Sequence, residues 1–318
     1  MAQVTALGEL LIDFATLEKD ERGCPTMKAN PGGAPGNYLA ALAAYGAQTS
    51  FIGKIGTDAF GDLILGALRR AGVGTEGVVR DASVFTTLAF VTFDEHGDRS
   101  FSFARKPGAD TMLRPEEIDC ALIDGADVFH FGTLSLTDEP ARSATRFAVA
   151  RAKEKGRLVS FDPNLRLPLW RDGEAAKREI LWGLGQADIV KISLEELEFL
   201  WGCGAEEGAK RLIGEFGVRL VLVTLGAEGS YLFSPRASYR VPPVRVSPVD
   251  TTGAGDIFGG SAVSRFLALG KRPEELEEGD LRFIGLFASA AASLSTERLG
   301  GITSVVPYGE VLSFIGEA

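Results

Sequence analysis

Three cysteines and two histidines in 318 residues leave little room for several common chemistries. Cys24, Cys120 and Cys203 are odd in number, far apart and outside any CxxC or Cys/His metal spacing. Neither a disulfide framework nor a zinc centre is expected, and the thiols read as incidental ones in a reducing compartment. No apolar run approaches the length of a membrane span. The first residues open directly on a strand-like run, without a basic segment or a signal-length apolar stretch, so the expectation is a soluble, cytoplasmic protein. Net charge is −10 and no basic run reaches five residues, which argues against nucleic acid or an anionic membrane surface as partner. No GxxxxGK[ST] occurs, so any phosphate cradle is not a P-loop. The segment 72–77 (GVGTEG) matches GxGxxG, but a helical pattern precedes it and a strand pattern follows. That is the reverse of a dinucleotide fold's entry. Linkers, repeats and low-complexity tracts are missing too, and residues 1–318 read as one α/β domain with a sizeable core.

What the chain does have is concentrated in Val249-Asp250-Thr251-Thr252-Gly253-Ala254-Gly255-Asp256. A β-rich segment, 239–249, is expected to end there and an apolar helical pattern, Ile257 to Leu269, to begin. Gly253 and Gly255 leave backbone N–H groups uncovered at a helix N-terminus, where unsatisfied donors and the helix dipole favour an anion. Asp256 is out of place in such a cradle unless it takes a proton from a hydroxyl that attacks a phosphoryl group. The plainer alternative is a Gly-rich turn with an Asp cap.

Earlier in the chain, residues 4–14 read as one buried strand with Asp13 near its end, either a turn residue or a group that bonds a ligand hydroxyl. Residues 15–29 read as polar and irregular. Asn30-Pro31-Gly32-Gly33-Ala34-Pro35-Gly36-Asn37 leads into an Ala-rich helix at 38–46, with Asn37 offering donor and acceptor from the first turn. A strand at 49–56 and a helix from Ala59 to Ala71 follow. Residues 84–104 read as a hairpin around a turn at 94–98, with Phe101 and Phe103 alternating against Ser102. Arg105 comes next, and its plain reading is a solvated charge. From 127 onward, apolar strands alternate with helical patterns, which argues for βαβ units and a parallel sheet covered on both faces. Ser193 and Glu196 fit a capping box, and a carboxylate there also suits a hydrated Mg²⁺.

DTTGAGD resembles the C-terminal signature of the ribokinase-like (PfkB) sugar kinases. GGAPGN resembles that family's N-terminal sugar-binding signature, and KIGTDAFG its strand–turn–helix scaffold. GELLIDF, GGAPGN, RKPGAD (105–110) and DPNLR (162–166) are together similar to the fructokinase form. The resemblance implies a three-layer α/β/α sandwich with a mostly parallel central sheet. It also implies a small β-sheet lid from about 15–30 and 84–104, through which two copies pair as a homodimer. By the same likeness Asp256 is the base, with Gly253, Ala254, Gly255 and Arg166 in the catalytic set. Asp13, Gly33, Asn37, Phe101 and Arg105 hold the sugar, with Asp162 and Asn164 nearby. Ser193, Glu196, Thr224, Gly226 and Gly229 join Gly253 and Gly255 on ATP, and Glu196 holds Mg²⁺ through water. Asp250, Thr252, Ser295, Arg298, Gly300 and Ser304 surround a monovalent cation such as K⁺. The activity implied is ATP-dependent phosphorylation of D-fructose on its 6-hydroxyl. A 2-keto-3-deoxygluconate kinase, an aminoimidazole riboside kinase and a non-catalytic fructokinase-like binding protein remain alternatives.

Overall fold

A computed structural model describes residues 2–93 and 99–317, with side chains except at 19, 91–93, 99–101 and 317. The expected turn at 94–98 lies outside the described residues. In chain order the strands are β1 (Gln3–Leu7), β2 (Leu11–Lys19), β3 (Pro25–Gly32), β4 (Gln48–Gly56), β5 (Gly74–Asp81), β6 (Thr87–Phe93), β7 (Arg99–Ala104), β8 (Val128–Gly132), β9 (Leu158–Asp162), β10 (Ile189–Ser193), β11 (Leu220–Thr224), β12 (Ser230–Phe233) and β13 (Ser238–Val241). The helices are α1 (Ala34–Ala44), α2 (Ala59–Arg70), α3 (Cys120–Asp124), α4 (Ala141–Glu154), α5 (Gly173–Leu184), α6 (Leu194–Trp201), α7 (Ala205–Phe216), α8 (Ala254–Leu269), α9 (Glu278–Ser295) and α10 (Tyr308–Glu317).

The main sheet runs β13-β12-β11-β10-β9-β8-β1-β4-β5. It is parallel from β11 to β5, with β12 and β13 antiparallel at one edge. Side chains along a strand alternate between faces, so apolar runs serve both layers. Leu220 and Leu222 of β11 join Leu39, Ile64, Phe258, Phe266 and Ile284 on one face. Val221 and Val223 join Phe129, Phe161, Ile180, Leu197 and Leu212 on the other. This is the expected three-layer α/β/α arrangement. The chain extends the sheet from β1 to one side through β4 and β5, then returns to β8 on the other side. Such a switch leaves a crevice at the carboxyl ends of the strands, where ligands bind in open α/β sheets.

A second sheet, β3-β2-β6-β7, stands off those ends, with β2–β6 parallel and the outer pairs antiparallel. It comprises the two segments expected to form a lid. Four expectations need correction. The apolar stretch 4–14 is two strands: the chain leaves the main sheet after Leu7 and enters the lid at Leu11. Both halves are buried, so the run of apolar residues hides the break. Residues 15–29 are largely strand, with the polar composition of a half-exposed hairpin whose outer positions face water. The segment 239–249 is strand only as far as Val241, because Pro242, Pro243 and Pro248 have no N–H to give a ladder. The Ala-rich helix begins four residues earlier than expected, at Ala34, since Pro35 suits a first helical turn. The GVGTEG segment joins the end of α2 to β5, a helix-to-strand order with no mononucleotide cradle.

Candidate active site

Two cavities meet at the N-terminus of α8, and Thr251 lines both. One, of about 370 Å³, lies under the lid and is walled by Glu9, Asp13, Asn30, Asn37, Asn164 and Asp256 among others. The other, of about 510 Å³, runs from Gly255 along Phe258 to Thr224, Gly226 and Gly229. A third cavity of about 490 Å³, between α7 and the β12–β13 edge, is more open and has none of these groups in its wall.

Asp256 is the third residue of α8. Its Oδ2 accepts a 2.8 Å hydrogen bond from Asn37 Nδ2, joining the two Gly-rich motifs. Asn37 Oδ1 is buried without a hydrogen-bond partner among the described residues. The glycines exist to admit this amide. A Cβ on Gly253 would stand 2.9 Å from Asn37 Nδ2, and one on Gly301 would overlap Asn37 Oδ1. Gly253 also has φ 78, the left-handed conformation that opens α8. As in any first turn, the amides of Gly255 and Asp256 have no intrahelical acceptor, whereas that of Ala254 reaches Thr251 O at 3.3 Å. Burial pushes the Asp256 carboxyl above its ordinary range, a trend that Lys191, the Asn37 bond and Arg166 oppose.

Lys191 is one residue that sequence reasoning missed. It projects from β10, two residues before Ser193, and its side chain is 11 % exposed. Its Nζ lies 3.1 Å from Asp162 Oδ2, and a Cβ on Gly255 would come within 3.0 Å of that Nζ. Burial disfavours the ammonium, but Asp162, Glu196 and Asp256 outweigh it and raise its proton affinity. A charged residue inside an otherwise apolar parallel strand was the available signal, since such a strand pays for a cation only when anions surround it.

Asp13 sits on β2, not at the end of a main-sheet strand, yet it reaches the 370 Å³ cavity because the lid folds over. Gly32 leaves the space, since a Cβ there would be 2.6 Å from Asp13 Oδ2. Burial pushes Asp13 up to about 6. Gly33 lines the same cavity with φ 120. Asn164 turns in with φ 43 and is held by its amide on Asp162 Oδ1 at 3.1 Å. Arg166 is exposed at the mouth. The side chain of Phe101 lies outside the described residues, and Phe103, two positions along the same strand, lines the cavity.

Arg105 meets neither expectation. It is 6 % exposed, not a surface charge, and it is not in the cavity wall. Its guanidinium pairs with Asp110 Oδ2 (2.7 and 2.8 Å) and donates to Thr137 Oγ1 and to the carbonyl of Leu134, one of the residues lining the cavity. Glu9 and Asn30 were not singled out from the sequence, and both are buried in the wall. Burial takes Glu9 up to about 7, partly offset by its own amide and that of Ala34.

The wall of the second cavity includes Thr224, Gly226 and Gly229, with the small residues Ser289, Ala292 and Ser293 of α9. Ser193 and Glu196 form the expected capping box, Glu196 N to Ser193 Oγ at 3.2 Å and Ser193 N to Glu196 Oε2 at 2.8 Å. Glu196 Oε1 takes Leu165 N at 2.8 Å. Each oxygen of Glu196 is thus engaged by a backbone amide and keeps one lone pair. Glu195, not Glu196, lines the cavity. Asp250 ties its loop together, accepting from Thr252 N and Oγ1 and from Gly300 N. The hydroxyls of Ser295 and Ser304 are spent on nearby carbonyls, and the Arg298 guanidinium turns away to Glu310. Among the described residues no cluster of three His, Cys, Asp or Glu could hold a metal, and no helix is long and apolar enough to cross a membrane.

Comparison with known proteins bears on the whole chain. Residues 1–307 match the model of the pfkB family carbohydrate kinases. A fructokinase-1 of Zea mays is 40 % identical over 321 residues, covering 99 % of this chain and 98 % of that protein. The crystal structure of a Xylella fastidiosa fructokinase with bound ATP superposes with TM-score 0.88 at 33 % identity, over 99 % of this chain and 98 % of the other. A Vibrio cholerae O395 fructokinase, in a form bound to fructose, ADP and calcium, gives TM-score 0.87 at 32 % identity over 99 % of each chain.

Proposed function

The chain belongs to the pfkB family of carbohydrate kinases and is an ATP-dependent, fructokinase-type sugar kinase; on that premise we propose that it phosphorylates D-fructose on the 6-hydroxyl. The observation that carries the reading is the place of Asp256. Its carboxylate is in the wall of the cavity under the lid, while Ala254 and Gly255, its neighbours on the same helical turn, line the other cavity. An acceptor in the first cavity and a phosphoryl donor in the second would therefore meet at this turn.

In this reading the sugar lies under the lid, with its hydroxyls on Asp13, Asn30 and Asn164 and on the unpartnered Asn37 Oδ1. ATP occupies the larger cavity, its phosphates towards α8 and its nucleoside towards Thr224, Gly226 and Gly229. Asp256 takes the proton of the reacting hydroxyl, the sugar oxygen bonds to the γ-phosphorus, and the bond from that phosphorus to the bridging oxygen breaks to release ADP. Negative charge on the transferred group is met by the first-turn amides of α8 and by Lys191 beneath Gly255. Mg²⁺, when bound, would neutralise phosphate charge, and in this reading Glu196 would hold it through water. K⁺ would be served by the loops that Asp250 joins.

The test is ADP release from MgATP across fructose, ribose, 2-keto-3-deoxygluconate, aminoimidazole riboside, glucose and tagatose, with and without K⁺. Strong preference for fructose is the expected result. Preference for another sugar would overturn the substrate and leave the kinase chemistry in place.

A further inference from the structure

Glu9 is a buried carboxylate that the reaction described above does not use. It is 3 % exposed, and no ion pair to it exists among the described residues. Arg105, whose charge acts on Glu9, is itself paired with Asp110. A buried charge with no cation on it is costly, so stability alone does not explain it. Its location does offer an explanation. The chain crosses from the main sheet to the lid between Leu7 and Leu11 and comes back at Gly33 and Ala34. Glu9 spans the two crossings, its Oε1 accepting the Ala34 amide at 2.8 Å.

That amide opens α1. The helix has no cap of its own: Gly33 at the N-cap offers no side chain, and the first turn contains no acidic residue. Glu9 thus supplies from a distant segment the acceptor that a helix N-terminus calls for. There is no slack around it. A Cβ on Gly33 would overlap Glu9 O, and one on Gly8 would come within 2.5 Å of Pro35 Cγ. One turn further along, Asn37 donates its amide to Gly33 O at 3.1 Å and its Nδ2 to Asp256.

We propose that Glu9 is a positioning residue for phosphoryl transfer: by holding Ala34 it sets the first turn of α1, and through Asn37 it aims the Asp256 carboxylate. The proposal rests on the reading of Asp256 as base. Its test uses the full chain with Glu9→Met, which keeps volume and removes the acceptor, and Glu9→Gln, which keeps an acceptor without charge. Asp256→Asn is measured beside them. Because Glu9→Met replaces a poorly compensated buried carboxylate with an apolar group, it should fold.

The expected result is a loss of about tenfold or more in kcat for Glu9→Met, with KM for ATP changed by no more than about twofold. Glu9→Gln should recover most of that kcat. Wild-type kcat in folded Glu9→Met, with Asp256→Asn inactive, would overturn the proposal and leave the base in place. Equal losses in Glu9→Met and Glu9→Gln would also overturn it, since the acceptor would then not be what matters. Retained turnover in Asp256→Asn would overturn the reading underneath and this proposal with it.

Discussion

Asn37 Nδ2 and Asp256 Oδ2 are 2.8 Å apart in space and 219 positions apart in sequence. The bond makes one site of two Gly-rich motifs. It also explains glycines on a third segment, since Gly301 as well as Gly253 must lack a side chain for the Asn37 amide to lie between them. Two turns that each read as a plain cap in isolation are the two halves of one acid–amide pair.

Asp256→Asn removes the proton acceptor but keeps the size and the contact with Asn37. Turnover should fall by about a thousandfold or more, in the upper part of the range for a lost general base. The dissociation constant for ATP should change little, because the second cavity is lined by other residues. Steady-state ADP release and calorimetric ATP titration on the same preparation check both parts. Persistent turnover would remove the role.

Gly301→Ala probes the same pair without touching a titratable group. The new methyl group must displace the Asn37 amide, so kcat should fall by about ten- to a hundredfold through misplacement of Asp256. The circular dichroism spectrum should be unchanged. Gly253→Ala adds a second penalty of about 1–2 kcal/mol for a non-glycine residue in the left-handed conformation. It should therefore also lower the urea midpoint, and Gly301→Ala should lower it less.

Arg105→Ala should behave as a stability mutation. It leaves Asp110 buried without its partner, a loss of about 3–5 kcal/mol. The urea midpoint reads the loss, and the companion change Asp110→Leu should restore part of it. A substrate-binding arginine would instead raise KM for the sugar at unchanged stability. That outcome would return Arg105 to the site.

These cases show what the sequence could and could not reveal. The alternation of strands and helices and the two Gly-rich signatures were legible, because periodicity and glycine are local properties. The break after Leu7 was not, since a strand that continues into the lid stays apolar on both sides of the crossing. The burial of Arg105 was invisible because Asp110, Thr137 and Leu134 gather around it only in three dimensions. Glu9 reads as an interruption of an apolar run until Ala34 is seen opposite it. Lys191 was the exception, a misfit within its own strand, and it was there to be noticed.

Lys191→Met should move the pH dependence of kcat. Among the influences on Asp256, Lys191 is the strongest that favours the ionised form. Without it the carboxylate binds its proton more tightly, so the acid limb should shift to higher pH. Asp162, also raised by burial and held down chiefly by Lys191, would be pushed in the same direction. Activity lost at neutral pH should return in part at alkaline pH. A uniform loss at every pH would assign Lys191 to the phosphoryl group alone.

Asp13 tests whether the lid cavity has been kept at a cost to the fold. Burial raises its carboxyl to about 6 from an ordinary 3.8, with Arg166 opposing and Asp256 and Asp250 adding to the rise. A carboxyl whose folded-state pKa is raised binds protons more tightly when folded. Its penalty is absent below the unfolded value, grows as pH climbs from about 4 to 6, and is complete above that. Asp13→Asn should match the wild type near pH 4 and be more stable at pH 8, by up to about 3 kcal/mol. Sugar kcat/KM should fall in the same variant, because an amide cannot accept from hydroxyls at both of its atoms. Urea midpoints at the two pH values and sugar kinetics at pH 8 give both quantities. Greater stability with weaker sugar use would mark Asp13 as a group retained for its ligand against the interest of the fold, whereas an equal urea midpoint at both pH values would mean that water reaches the carboxylate and that the lid stands open over it.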